Sequence, residues 1–128
     1  KFKSTELYNS EAAPVISRTV DGRFTSYAMP PEYTALFQNF PNPFNPDTWI
    51  PYQLKEGGEI KIQIFGISGN IIQELNLGYR AAGLYLSRDR AAYWDGKDMD
   101  GEEVASGIYY YSIKTGDSKA MRKLILLR

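Results

Sequence analysis

Ile60, Ile62 and Ile64 alternate with Lys61 and Gln63, and a period of two predicts a half-buried strand with its isoleucines toward a core. Upstream, Thr48, Ile50, Tyr52 and Leu54 alternate with Trp49, Pro51 and Gln53, which predicts a first strand. Pro51 lacks a backbone donor and makes it an edge strand. Gly57-Gly58 marks the turn between the two. Ser68-Gly69-Asn70 turns the chain into another short strand over 71–77, ended by Gly78. Leu84-Tyr85-Leu86 and Ala91-Ala92-Tyr93-Trp94 are further short β segments. Residues 108–115 and 119–127 read as two long strands joined by Gly116-Asp117-Ser118, a hairpin. No stretch of ten or more residues carries a helical stripe. About seven short strands with turns between them predict an all-β antiparallel sandwich, with Ile50, Ile60, Ile62, Ile64, Trp94, Val104 and Ile108 in its core.

Residues 1–35 differ from the rest. Pro14, Pro30 and Pro31 interrupt them, and small polar residues separate their few large apolar ones, so they read as a linker or the remnant of an upstream domain. Within them Asp21-Gly22 sits between two β-forming runs and suggests a hairpin over 15–27, which would need a neighbouring surface to be stable. In Phe40-Pro41-Asn42-Pro43-Phe44-Asn45-Pro46-Asp47, prolines fix φ and asparagines form local turns. The expectation is an ordered lead-in loop, anchored on the fold by Phe40 and Phe44.

Composition narrows the chemistry. The 128 residues suit one domain with or without a tail, and 43% apolar content suffices for a core. Fifteen Lys and Arg balance fifteen Asp and Glu, so no global charge draws the chain to nucleic acid or anionic lipid. There is no cysteine and no histidine. A disulfide framework, a thiolate nucleophile and Cys-ligated zinc are excluded, and the commonest general base and metal ligand are missing. The expectation is a protein without enzymatic activity or cofactor. No apolar run approaches the ~20 residues of a membrane span. The chain does not start with Met and its first residues lack a signal-peptide pattern, so it reads as a fragment or a mature processed piece.

Three clusters offer sites. Residues 94–103 carry five carboxylates against one Lys, with Asp95, Asp98 and Asp100 as weak candidates for a hard cation. The spacing fits no EF-hand register: from Asp95 the third position is Lys97, and from Asp98 the twelfth is Tyr109. Asp95-Gly96 and Asp100-Gly101 read better as turn residues. Ten tyrosines and two tryptophans could form a stacking platform for sugars or single strands, although a sandwich core uses the same residues. Of Tyr109, Tyr110 and Tyr111, the middle one faces opposite its neighbours, which leaves at least one side near solvent. The third cluster is Lys119, Arg122, Lys123, Leu124, Ile125, Leu126, Leu127 and Arg128. As a strand it buries one face while cations blunt an edge; as a signal it is accessible to a partner. Lys119, Lys123 and Arg128 are expected to remain solvated.

The string Phe37-Gln38-Asn39-Phe40-Pro41-Asn42-Pro43-Phe44-Asn45-Pro46-Asp47-Thr48-Trp49-Ile50-Pro51-Tyr52-Gln53-Leu54 resembles the opening of the C-terminal sorting domains of type IX (Por) secretion cargo. These domains are similar to the Ig-like domain of the flagellar hook-capping protein. Ile64-Phe65-Gly66-Ile67-Ser68-Gly69, Ala82-Gly83-Leu84-Tyr85 and Tyr93-Trp94-Asp95-Gly96 fit later pieces in order, as do 104–111 and 122–128. The resemblance covers residues 36–128. It departs at Phe40, where Tyr is common, and at Leu124, where the terminal motif often has Met. It implies an Ig-like sandwich at the end of a secreted bacterial protein that acts as an export and cell-surface attachment signal. The implied partners are the secretion and attachment machinery and an upstream cargo domain in the same chain, with no nucleic acid and no membrane span. Alternatives are an accessory module binding carbohydrate or protein through exposed aromatics, and a structural domain of an extracellular assembly.

Overall fold

The computed structural model describes residues 29–116 and 118–128, and its architecture is an all-β, Ig-like sandwich. The described residues form nine strands and no helix: β1 (Ala35–Leu36), β2 (Thr48–Ile50), β3 (Tyr52–Leu54), β4 (Gly58–Phe65), β5 (Ile71–Arg80), β6 (Gly83–Tyr85), β7 (Ala92–Trp94), β8 (Gly107–Thr115) and β9 (Ser118–Leu126). One layer is the antiparallel sheet β5-β4-β8-β9. The other is built from two short ladders, β1-β3-β6 and β2-β7.

The expected first strand over 48–54 is split in two at Pro51. Thr48, Ile50, Tyr52 and Leu54 are all fully buried, so the period of two persists across the break. Its halves pair differently: Ile50 lies opposite Ala92 of β7, and Tyr52 opposite both Leu36 and Tyr85. Pro51 is buried, with its carbonyl accepting from the Phe37 N–H at 3.0 Å. This corrects the edge-strand expectation, because β3 is the centre of its ladder. The missing N–H is accommodated where the chain passes from one ladder to the next, rather than at a solvent edge.

Ile50, Ile60, Ile62, Ile64, Trp94 and Val104 lie in the core as expected. Ile108 does not; it is 41% exposed. Tyr109, Tyr111 and Ile113 occupy the inward positions of β8, and Ile108 falls on the other face. β5 also runs past its expected end. Ile60 pairs with Gly78 but Lys61 with Asn76, so Leu77 is the extra residue of a bulge. Gly78 adopts φ 73°, a conformation glycine takes without strain, and the strand continues to Arg80.

Two tyrosines tie loops to strands by the same device. Tyr109 Oη donates to the Ala105 carbonyl at 2.7 Å, and Tyr85 Oη to the Ala81 carbonyl at 2.6 Å. Each reaches four residues back, the tyrosine-corner arrangement of Ig-type sandwiches. The hairpin expected over 15–27 lies outside the described residues.

Candidate functional site

The C-terminal strand and the loop beside it form the most elaborate surface of the fold. β8 and β9 pair from Thr115 opposite Ser118 to Gly107 opposite Leu126. Alternation then sorts the eight candidate residues. Leu124 and Leu126 are fully buried, and Ala120 packs against the same core. Lys119, Met121 and Lys123 are exposed on the outer face, Ile125 is half-buried, and Leu127 is exposed. Arg122 closes the side of the sandwich, its Nε donating to the Leu36 carbonyl at 2.7 Å.

The free side of β9 is partly sealed by the proline-rich loop. Gln38 Nε2 donates to the Lys123 carbonyl at 2.9 Å, and Asn42 Oδ1 accepts from the Ile125 N–H at 3.0 Å. Phe44 N–H donates to the Ile125 carbonyl while its own carbonyl accepts from Leu127 N–H, both at 3.0 Å. Phe44 thus bridges β9 in parallel sense, with its ring buried against Trp94 at a centroid distance of 5.5 Å. Anchoring by Phe44 agrees with the expectation. Phe40 is half-buried and exchanges two backbone hydrogen bonds with Trp49, at 2.9 and 2.8 Å. The roles of Gln38 and Asn42 were not legible, because a side-chain amide's target depends on tertiary register. Behind the loop, Tyr111 Oη donates to the Phe37 carbonyl at 2.7 Å and accepts from Asn39 N–H at 2.9 Å. Burial pushes the Tyr111 phenol up to about 12.

Arg128 departs from the expected solvated cation. Its Nε donates to the Val104 carbonyl at 2.6 Å and its Nη2 to the Gly96 carbonyl at 2.8 Å, while its backbone N–H reaches Ser106 Oγ at 2.8 Å. The planar guanidinium fork spans two carbonyls that a point charge would not hold together. Of the three cations expected to stay solvated, Lys119 and Lys123 are exposed and make no such backbone contacts among the described residues.

The acidic loop is organised by turn chemistry. Asp98 Oδ1 accepts from the N–H groups of Asp100 and Glu102 at 2.9 and 3.0 Å, and Asp95 Oδ1 accepts from Lys97 N–H at 3.0 Å. Gly96 and Gly101 take φ 79° and 83°. Among the described residues, no three Asp or Glu side chains converge as a metal site would require.

Of the aromatics, Tyr111 is core and Tyr109 and Tyr110 are half-buried. A partly exposed array lies elsewhere, along β2-β7 and the loop before β2. Phe40, Trp49 and Tyr93 form a row with centroid spacings of 6.4 and 5.3 Å, and the Arg88 guanidinium sits 4.4 Å above Trp49. Tyr93 Oη donates to Asp47 Oδ2 at 2.8 Å, a bond that raises its pKa.

No protein-family profile matches the chain, and no curated protein does. Solved structures are similar to it in fold. Part of latent PorU from Porphyromonas gingivalis aligns over 73% of this chain at 15% identity and a TM-score of 0.54. PorZ, described as a surface component of the type IX secretion system of the same bacterium, aligns over 74% at 18% identity and a TM-score of 0.47. FlgD from P. aeruginosa aligns over 57% at 24% identity and a TM-score of 0.44. The chain spans 9% of the PorU chain, 11% of PorZ and 54% of FlgD. Among the described residues no helix is long and apolar enough to cross a membrane.

Proposed function

We infer that this chain is a non-catalytic C-terminal sorting domain of a secreted bacterial protein, and that it directs export and surface attachment. The reading rests on the motif string of residues 37–54, which resembles type IX cargo domains. The shared fold with part of PorU supports it at the level of architecture. The single structural observation that carries it is the division of labour in β9: Leu124 and Leu126 hold the strand in the core while Lys119 and Lys123 face solvent beside it. A partner reads such a strand without unfolding the domain.

Truncating β9 would remove buried surface, so loss of export after truncation would not separate signal from fold. Lys119→Ala with Lys123→Ala does separate them. Exposed cations contribute little to stability, so the double variant melts within ~0.5 kcal/mol of the parent. Fused to a reporter in a host with type IX machinery, it should reach the surface several-fold less than the parent. Equal export would remove these cations from the signal.

The second reading, a module binding carbohydrate or protein, draws on Phe40, Trp49 and Tyr93. Arg88 already covers one face of Trp49, so a stacking ligand would have to displace it.

A further inference from the structure

The outward backbone groups of β9 fall into two halves. Even-numbered residues exchange hydrogen bonds with β8, so the N–H and C=O of Lys119, Met121, Lys123 and Ile125 point to the free side. From the Lys123 carbonyl to the Leu127 N–H those groups are taken by Gln38, Asn42 and Phe44. Among the described residues, the N–H and C=O of Lys119 and Met121 have no such partner. An edge of this kind is a template for one more strand.

Charge decides which strand. Lys119 lies directly opposite Lys114, and Lys114 directly opposite Lys61. Like charges facing each other across strands are destabilising. Lys61 is compensated by Glu74 at 3.9 Å, whereas Lys114, Lys119 and Lys123 have no carboxylate partner among the described residues. Met121, between Lys119 and Lys123 on the same face, is 56% exposed and offers one apolar contact. A neighbouring strand with carboxylates flanking an apolar side chain would relieve the lysine row and pair the open backbone together. Lysines repel a cationic edge and would lose hydration uncompensated against a neutral one, so the same feature that guards against indiscriminate pairing selects an acidic one.

We propose that Ser118–Arg122 is a β-augmentation seat for an extended acidic segment of a partner chain. The seat is short because the proline-rich loop blocks the rest of the edge. It deepens the sorting reading, on which the partner's place in the secretion machinery rests; the seat itself stands on geometry and charge.

The test uses the 128-residue chain and two capped hexapeptides, one of alternating glutamate and valine and one of alternating lysine and valine, each in excess at low salt. Amide hydrogen exchange is read residue by residue. The acidic peptide should slow exchange at Lys119 and Met121 at least ten-fold, leaving Ile125 and Leu127 unchanged, and the basic peptide should do nothing. Lys119→Glu, which keeps the backbone edge, should weaken binding about ten-fold. Met121→Pro should abolish it, because the lost N–H points away from β8. Equal protection by both peptides, protection on β5 instead, or unchanged binding to Lys119→Glu would each overturn the proposal. A domain that binds the acidic peptide as described yet fails to direct export of a reporter leaves the seat standing and removes the sorting reading. One that directs export but shows no protection does the reverse.

Discussion

Arg128 and Gly96, thirty-two positions apart in the chain, meet at a hydrogen bond of 2.8 Å from Nη2 to the glycine carbonyl. Gly96 makes the approach possible. It adopts φ 79°, and a Cβ there would stand 2.5 Å from the Pro46 carbonyl oxygen and 3.1 Å from Arg128 Nη2. The acidic loop, the proline-rich loop and the last residue of β9's extension converge at this glycine. Arg128→Ala is therefore expected to destabilise by ~1–2 kcal/mol, and Arg128→Lys not to restore the loss. Gly96→Ala should cost ~1–3 kcal/mol from backbone conformation alone, with the clash added. Urea denaturation of the three variants measures both. An Arg128→Ala midpoint equal to the parent's would show that the fork contributes nothing.

Tyr111 and Tyr52 are both fully buried but differ in what their hydroxyls meet. Tyr111→Phe strands the Asn39 N–H and the Phe37 carbonyl and should cost ~1–3 kcal/mol. The Tyr52 hydroxyl has no hydrogen-bond partner among the described residues; burial raises its pKa while nearby Arg80 partly offsets the rise without hydrogen-bond geometry. Tyr52→Phe should be neutral or slightly stabilising. Paired thermal melts at neutral pH decide between the two outcomes.

Tyr111 also sets an alkaline limit. Its folded pKa of about 12 exceeds the ordinary 10.0, so the folded state holds the proton more tightly than the unfolded chain. The associated stability is fully present below pH 10 and is lost as pH rises through about 12. Stability curves should fall less steeply across that window in Tyr111→Phe than in the parent. Parallel curves would mean that Tyr111 is not the titrating group.

Asp98 Oδ1 holds its loop by accepting from the backbone N–H groups of Asp100 and Glu102, and the loop is expected to need no cation. Melts with excess calcium and with chelator should coincide, and Asp98→Ala should lower stability by ~1–2 kcal/mol in both. A calcium-dependent rise of several degrees that disappears in Asp98→Ala would contradict this.

Much of the fold was legible because alternation in a one-sided strand has a single reading. Ile60, Ile62 and Ile64 face inward against Lys61 and Gln63, and Ile62→Ala should cost ~2–5 kcal/mol. β8 was ambiguous: Ile108 and Tyr110 on one face compete with Tyr109, Tyr111 and Ile113 on the other, and both sets are apolar. The core chose the second set, so Ile108→Ala should cost far less than Ile62→Ala. Pro51 misled because a missing donor signals a break in pairing without saying whether solvent or a second ladder lies beyond. The candidate strand was found by charge and hydrophobicity, but which cations stay free was not. Arg128's carbonyl partners, Val104 and Gly96, lie 24 and 32 positions away, and nothing local announces them.

The sorting proposal makes the folded domain itself an export address. Residues 1–128 fused to the C-terminal end of a neutral reporter, in a bacterium with type IX machinery, test it most directly through the fraction of reporter at the cell surface. The account predicts surface reporter with the domain and none without it, and none in a strain lacking the machinery. A reporter that stays inside the cell, with the attached domain folded by its melting curve, would contradict it.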